Sequence, residues 1–169
     1  MIVRLEPTAP SHVDALAPLF DDPDVQRFTR IPVPAPPGFA RTWLEGIERD
    51  RRAGTRDAFA VVDGDGDVVG WAGAPKIDRA AREVELGYMV APSARGRGVA
   101  TEALKLLTAW AFEELGAVRV ELVISAENEA SKRVAERCGY QREAVLRSVH
   151  QKQGIRDDVE IWSRLTTDA

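Results

Sequence analysis

The chain is 169 residues long, enough for one domain (residues 1–169) with a sizeable core, and its 44% hydrophobic and 30% charged residues match an ordinary soluble protein. Its 23 basic and 27 acidic residues leave a formal charge of −4, which argues against general nucleic-acid affinity. The single cysteine, Cys138, excludes an internal disulfide and fits a reducing cytoplasm, and with only two histidines beside it no metal-ligand cluster is expected. No apolar run approaches the ~20 residues of a membrane span, and the opening residues do not read as a signal peptide, so no membrane partner is expected.

Residues 2–6 read as a short strand. Ser11 offers an N-cap with Asp14 three residues on, and Val13, Leu16, Leu19 and Phe20 follow at helical spacing. Asp21-Asp22-Pro23-Asp24 ends that helix, and the proline-rich segment 31–38 predicts a rigid extended loop. Phe39, Trp43, Leu44 and Ile47 predict a second helix over 38–52, stopped by Gly54. Strands over 58–62 and 68–74 are joined by Asp-Gly-Asp-Gly, a hairpin signal. The aspartates there do not make a calcium loop, because Val68 and Ala74 stand where that loop needs glycine and glutamate. Residues 82–90 alternate, with Val84, Leu86, Tyr88 and Val90 on one face and Glu83, Glu85, Gly87 and Met89 on the other.

The next stretch organises the rest of the chain. A strand stops near Val90, and Arg95-Gly96-Arg97-Gly98-Val99-Ala100 opens directly into a helix whose stripe is Val99, Ala103, Leu104, Leu107, Trp110, Ala111 and Leu115. A helix start presents backbone N–H groups without internal partners and the positive end of the helix dipole. Glycines let a ligand approach and two arginines add charge, so the turn reads as a phosphate site, or else as an ordinary glycine loop before a helix. It is not a P-loop, since Val99 and Ala100 follow Gly98 where Lys and Ser/Thr are required, and Thr101 breaks the dinucleotide fingerprint. Beyond Gly116 come a buried-looking strand over 118–124 and a helix over 128–138 ended by Gly139. Two last strands, roughly 140–150 and 156–165, are separated by Gln153-Gly154. In the 128–138 helix, Ala130, Val134 and Cys138 are expected to face the core and Asn128, Ser131 and Ala135 to share another face, with Asn128 readable as a simple cap. The fold class is α+β, a central mixed and mostly antiparallel sheet of about seven strands flanked by about four helices.

Arg95-x-x-Gly98-x-Ala100 resembles the pyrophosphate signature of the GNAT superfamily of N-acetyltransferases. Asn128, Ser131, Arg133, Gly139 and Tyr140 are similar to the fourth motif of its Rim-type, ribosomal-protein N-terminal branch. So, in order along the chain, are Asp22-Pro23-Asp24-Val25, Glu85-x-Gly87-Tyr88, Gly98-x-Ala100-Thr101-Glu102-Ala103 and Gly154-x-Arg156-Asp157. The resemblance implies acetyl-CoA as donor and an amine acceptor, and a sheet splayed between the strand ending at Val90 and the strand over 118–124. It implies that the backbone near Met89 and Val90 holds pantetheine, that Arg95, Gly96, Arg97, Gly98, Val99 and Ala100 hold pyrophosphate, and that Asn128 contacts the pantetheine arm. Many members carry a tyrosine where this chain has Ala135, so Ser131 is the residue expected near the sulfur.

Acetyl transfer needs a deprotonated amine, a polarised carbonyl and a stabilised thiolate. Glu85 is the candidate base, with a solvated strand face as its alternative. Ser131 is the candidate acid, and a backbone N–H near Val90 the candidate oxyanion donor. The expected acceptor is a protein N-terminal α-amine, then a small amine such as an amino acid, polyamine or antibiotic. A silent acyl-CoA-binding module is the third reading, and a homodimer is compatible with all three.

Overall fold

A computed structural model describes residues 2–168. Seven strands form one sheet: β1 (Val3–Pro7), β2 (Asp57–Asp63), β3 (Val68–Asp78), β4 (Glu83–Val90), β5 (Arg119–Ser125), β6 (Gln141–Lys152) and β7 (Ile155–Leu165). Their order is β1-β2-β3-β4-β5-β7-β6, and every neighbouring pair is antiparallel except β4 and β5. The helices are α1 (Val13–Leu16), α2 (Pro23–Phe28), α3 (Phe39–Ala53), α4 (Val99–Glu113) and α5 (Glu129–Arg137). The α+β class and the mixed, mostly antiparallel seven-stranded sheet are as the sequence predicts.

Alternation along each strand feeds two cores on opposite faces of the sheet. Val84 and Leu86 of β4 and Val120, Leu122 and Ile124 of β5 pack with Val99, Ala103, Leu104, Leu107 and Ala111 of α4. On the other face Trp71 and Met89 meet Leu16, Phe20, Val25, Leu44 and Ile47 from the N-terminal helices. Phe20, Trp43 and Trp71 join there through ring contacts of 5.0 and 5.1 Å.

The helices differ from the sequence expectation in three places. The helix expected from Ser11 is only four residues of α-helix between two 3-10 turns, and Ser11 is not its cap. Asp21-Asp22-Pro23-Asp24 ends one helix and starts another, because the Asp22 carboxylate accepts from the Val25 N–H and Pro23 fits the first turn. That adds α2 to the expected four. In α5 the core face is set by Ala135, fully buried, and Cys138, whereas Ala130 is exposed. Ala130 lies in the first turn, which rims a cleft, and Ala135 packs inward beside Val134 and Cys138.

β4 and β5 pair over a short length: Glu83 with Arg119, Val84 with Val120, and Glu85 with Glu121. Beyond that point β4 continues with β3 alone, to Val90 opposite Gly70, and β5 with β7 alone, to Ser125 opposite Val159. The expected splay is present.

The far side of β5 is locked by charge. Arg119 donates to both Glu143 oxygens, at 2.9 and 2.7 Å, and to Glu121 at 2.7 Å. The bond from Arg119, helped by one from Ser163, pulls the Glu143 carboxyl down to about 2. A depressed carboxylate stabilises the fold above its unfolded value of ~4.3 and loses that contribution as pH falls through the folded value. Glu143→Gln should therefore lower Tm at pH 7, and the gap to wild type should close between about pH 5 and the folded value near 2. Thermal melts across that range check this.

Candidate active site

Where β4 and β5 part, a cleft of about 1720 Å³ opens, walled by the ends of both strands, the α4 and α5 N-termini, the α2–α3 segment and the β6–β7 tip. Its floor at one end is the glycine turn. Gly96 and Gly98 have φ of +73° and +83°, in the left-handed region, and a Cβ on either would meet nothing within 4 Å. Backbone angle, not crowding, calls for glycine at these two positions. Gly98 caps α4 without a side chain, and the first α4 backbone hydrogen bond runs from Glu102 N to Gly98 O, so the N–H groups of Val99, Ala100 and Thr101 have no partner within the helix.

The two arginines of the turn differ. Arg97 is exposed. Arg95 turns back, with Nη2 at 2.5 Å from Asp22, Nη1 at 3.0 Å from Asp24 and Nε donating to the Val90 carbonyl at 3.2 Å. Burial opposes ionisation of Asp22, but the bonds from Arg95 and from the Val25 N–H outweigh it and hold the carboxyl below its ordinary value. Arg95 thus ties the α2 start to the end of β4. Met89, opposite Trp71, is buried, and Val90 lies half-buried at the lip.

At the α5 end, Asn128 Oδ1 accepts from the Ser131 N–H at 3.1 Å, so Asn128 does cap the helix. Ser131 Oγ lies 2.7 Å from the Tyr88 hydroxyl. Burial pushes the Tyr88 phenol up to about 12, against a smaller opposing effect of the Ser131 bond. At neutral pH the phenol keeps its proton, and donating it to Ser131 Oγ leaves the serine hydrogen free to point into the cleft.

Glu85 lies on the opposite face of the same strand. Its side chain is 18% exposed, so the solvated-face alternative fits the exposed Glu83 better than Glu85. Across the cleft Arg30 Nη2 sits 3.9 Å from its carboxylate, with 77% of the Arg30 side chain exposed. The buried Trp71 Nε1 has no hydrogen-bond partner, alone among buried side-chain polar atoms of the described residues.

A model of the acetyltransferase (GNAT) domain matches residues 3–141. The chain belongs to the GNAT acetyltransferase family. It is an acetyl-CoA-dependent N-acetyltransferase. A Bacillus subtilis protein described as "Putative ribosomal N-acetyltransferase YdaF" is 33% identical over 132 residues, spanning 76% of this chain and 72% of that protein. The ribosomal L7/L12 α-N-protein acetyltransferase RimL, solved with coenzyme A, superposes with a TM-score of 0.90 at 19% identity, over 99% of this chain and 96% of that one. The Vibrio cholerae spermidine N-acetyltransferase, solved with CoA and spermine, gives 0.87 at 18% identity, over 98% and 96%. At those identities the two structures speak for the fold alone.

The cleft brings together the residues singled out from sequence: Glu85, Met89, Val90, Arg95, Gly96, Gly98, Val99, Ala100, Asn128 and Ser131 all line it, whereas Arg97 does not. Four residues join the site only in the structure. Sequence alternation puts Tyr88 on an apolar face, although the Glu-x-Gly-Tyr motif contains it. Asp22 and Asp24 read as helix breakers, and Arg30 carries no sequence signal at all.

If Arg95 works chiefly as a tie, Asp22→Ala and Arg95→Ala should not be additive. Urea unfolding of both single variants and the double variant should give a coupling energy of about 1 kcal/mol or more, as for a charge-assisted pair with one largely buried partner. Additive losses would leave the pair energetically idle.

Proposed function

We propose that this enzyme acetylates the α-amine at the N-terminus of a protein, with acetyl-CoA bound in the β4–β5 cleft. The acetyl-transfer chemistry is supported by the parting of the two strands, with Glu85 on one face of β4 and the Tyr88–Ser131 pair on the other at a single opening, and the choice of acceptor by the likeness to the B. subtilis ribosomal-type relative. The residues fit the donor. The unpartnered N–H groups at Val99, Ala100 and Thr101 would take the pyrophosphate, beside Gly96 and Gly98, and the freed edge of β4 near Met89 and Val90 would take the pantetheine amides. Acetyl-CoA supplies the activated acetyl group and a thiolate leaving group.

The protein's own work is then moving protons and positioning. An α-amine, with an ordinary pKa of ~7.7–8.0, is largely protonated at pH 7, and Glu85 takes its proton directly or through water. A backbone N–H near Val90 would donate to the developing oxyanion. Ser131 gives a proton to the departing thiolate and takes one from the Tyr88 phenol, which recovers its own from solvent in the cleft. Asn128 holds Ser131 in place through the helix cap. The single cysteine, buried at the end of α5, is in keeping with work in the cytoplasm.

Glu85→Gln and Ser131→Ala separate these roles. The first should lower kcat by ~10²–10⁴ near pH 7, with the deficit shrinking as pH rises and the amine deprotonates unaided. The second should lower kcat only about tenfold at all pH values, because solvent can protonate a thiolate whose pKa is near ~8.5. Neither should change the Kd for acetyl-CoA by calorimetry. A pH-independent loss for Glu85→Gln would make it a binding residue.

The acceptor class is tested by thiol release with N-terminal peptides, spermidine and free amino acids side by side. Peptide turnover is expected to exceed both others by at least tenfold in kcat/KM. Turnover of spermidine alone would move the enzyme to the polyamine class.

A further inference from the structure

The acceptor end of the cleft carries the opposite charge to the protein as a whole. The chain has a net charge of −4. Yet the cleft wall made by the α2–α3 segment, the residue before β2 and the β6–β7 tip carries Arg30, Arg56 and Lys152, with Glu85 the carboxylate beside Arg30 and Glu127 and Glu129 on the α5 side. Lys152 and Arg56 are held in place, whereas Arg30 is exposed. Lys152 Nζ donates to the Thr29 carbonyl at 2.9 Å and to the Ile31 carbonyl, which pins the hairpin tip onto the segment that bears Arg30. Arg56 stacks over Trp43 at 5.7 Å and makes only a 3.5 Å contact with Asp50. Arg30 has no closer acidic neighbour than Glu85, at 3.9 Å. Asp24, also on the cleft wall, is already taken by Arg95.

Between these charges lies room for a short length of backbone. Gly87 follows Glu85 on the same face of β4, and a Cβ built there would meet nothing within 4 Å. The wall beside it is the Trp71 ring, which lies over Gly73, the cross-strand partner of Gly87. A primary amine reaching Glu85 would therefore place its next residues over Gly87, under Arg30 and Arg56.

We propose that this rim is an anion subsite, and that the enzyme selects N-termini followed closely by an acidic side chain while disfavouring polycationic amines. The inference rests on the N-terminal reading above. Arg30 has two parts in it. It attracts the acceptor carboxylate, and by moving onto that carboxylate it leaves Glu85 free to take the amine proton. A polyamine would bring additional positive charge against Arg30, Arg56 and Lys152, where Glu85 is the acid beside Arg30. Because Arg30 is exposed, its attraction is modest and strongly screened by salt.

The test uses the full-length enzyme and peptides that share one N-terminal residue but carry Asp, Asn or Lys at positions two and three. In low salt, kcat/KM should fall in that order, by about 5–10-fold overall, and the spread should collapse in ~1 M salt, where the Debye length is ~3 Å. Arg30→Gln should flatten the series at low salt, and Arg30→Glu should reverse it, with the acetyl-CoA Kd unchanged in both. Equal turnover of the three peptides at low salt, or a spread that survives Arg30→Glu, overturns the anion subsite while leaving N-terminal acetylation standing. Turnover of spermidine with no peptide turnover overturns both.

Discussion

After Glu85 and Glu121, β4 and β5 stop exchanging hydrogen bonds, and each strand goes on with its outer neighbour alone. Two strands that diverge inside a sheet expose backbone groups that would otherwise be paired, and buried groups of that kind must find another partner. Here the opening is lined on one side by the end of β4 and on the other by β5 and the α5 cap, with the free N–H groups of α4 at one end. A ligand that offers amides along its length and phosphates at one end meets all of these needs. The parting is held open by packing on both faces. The α4 stripe is buried against β4 and β5 on one face, and the N-terminal helices fill the other around Trp71 and Met89.

Strand alternation then distributes the chemistry. Glu85 and Tyr88 are three residues apart on β4 and so point to opposite faces. On the helical layer of α4 and α5 the phenol meets Ser131 in an enclosed site that keeps it protonated. On the layer of α1–α3 the carboxylate faces a wetter space rimmed by arginines. One strand thus puts a phenol and a carboxylate on its two faces without needing a loop to place either. Arg95 ties the two layers together, since it bonds to the end of β4 and to both aspartates at the start of α2.

Much of this was legible in the residues themselves. Period-two alternation in 82–90, the glycine turn before an apolar helical stripe, and Asn128 three residues before Ser131 are local patterns, and local backbone physics fixes their outcome. The sheet class, α4 with its glycine start and the α5 cap follow from them. Where the local signal was weak or double-valued, the expectation missed. Asp22-Pro23-Asp24 stops one helix and caps the next with the same residues, and in α5 Val134 and Cys138 face the core as expected while Ala135, not the first-turn Ala130, completes that face.

Contacts between distant segments belong to the tertiary structure. Tyr88 and Ser131 are 43 residues apart, Arg95 and Asp22 are 73 apart, and Lys152 and Thr29 are 123 apart. Nothing in the spacing of either partner announces the other, because side-chain bonds of this range exist only once the sheet order has been set. The sequence by itself determined which residues sit on which face of β4 and where a helix would offer free N–H groups, since both are decided within a few residues of chain. Only the folded structure brings the Tyr88 phenol to Ser131 and Arg30 to rest beside Glu85. Each of those pairings depends on strands and loops brought together from across the whole chain.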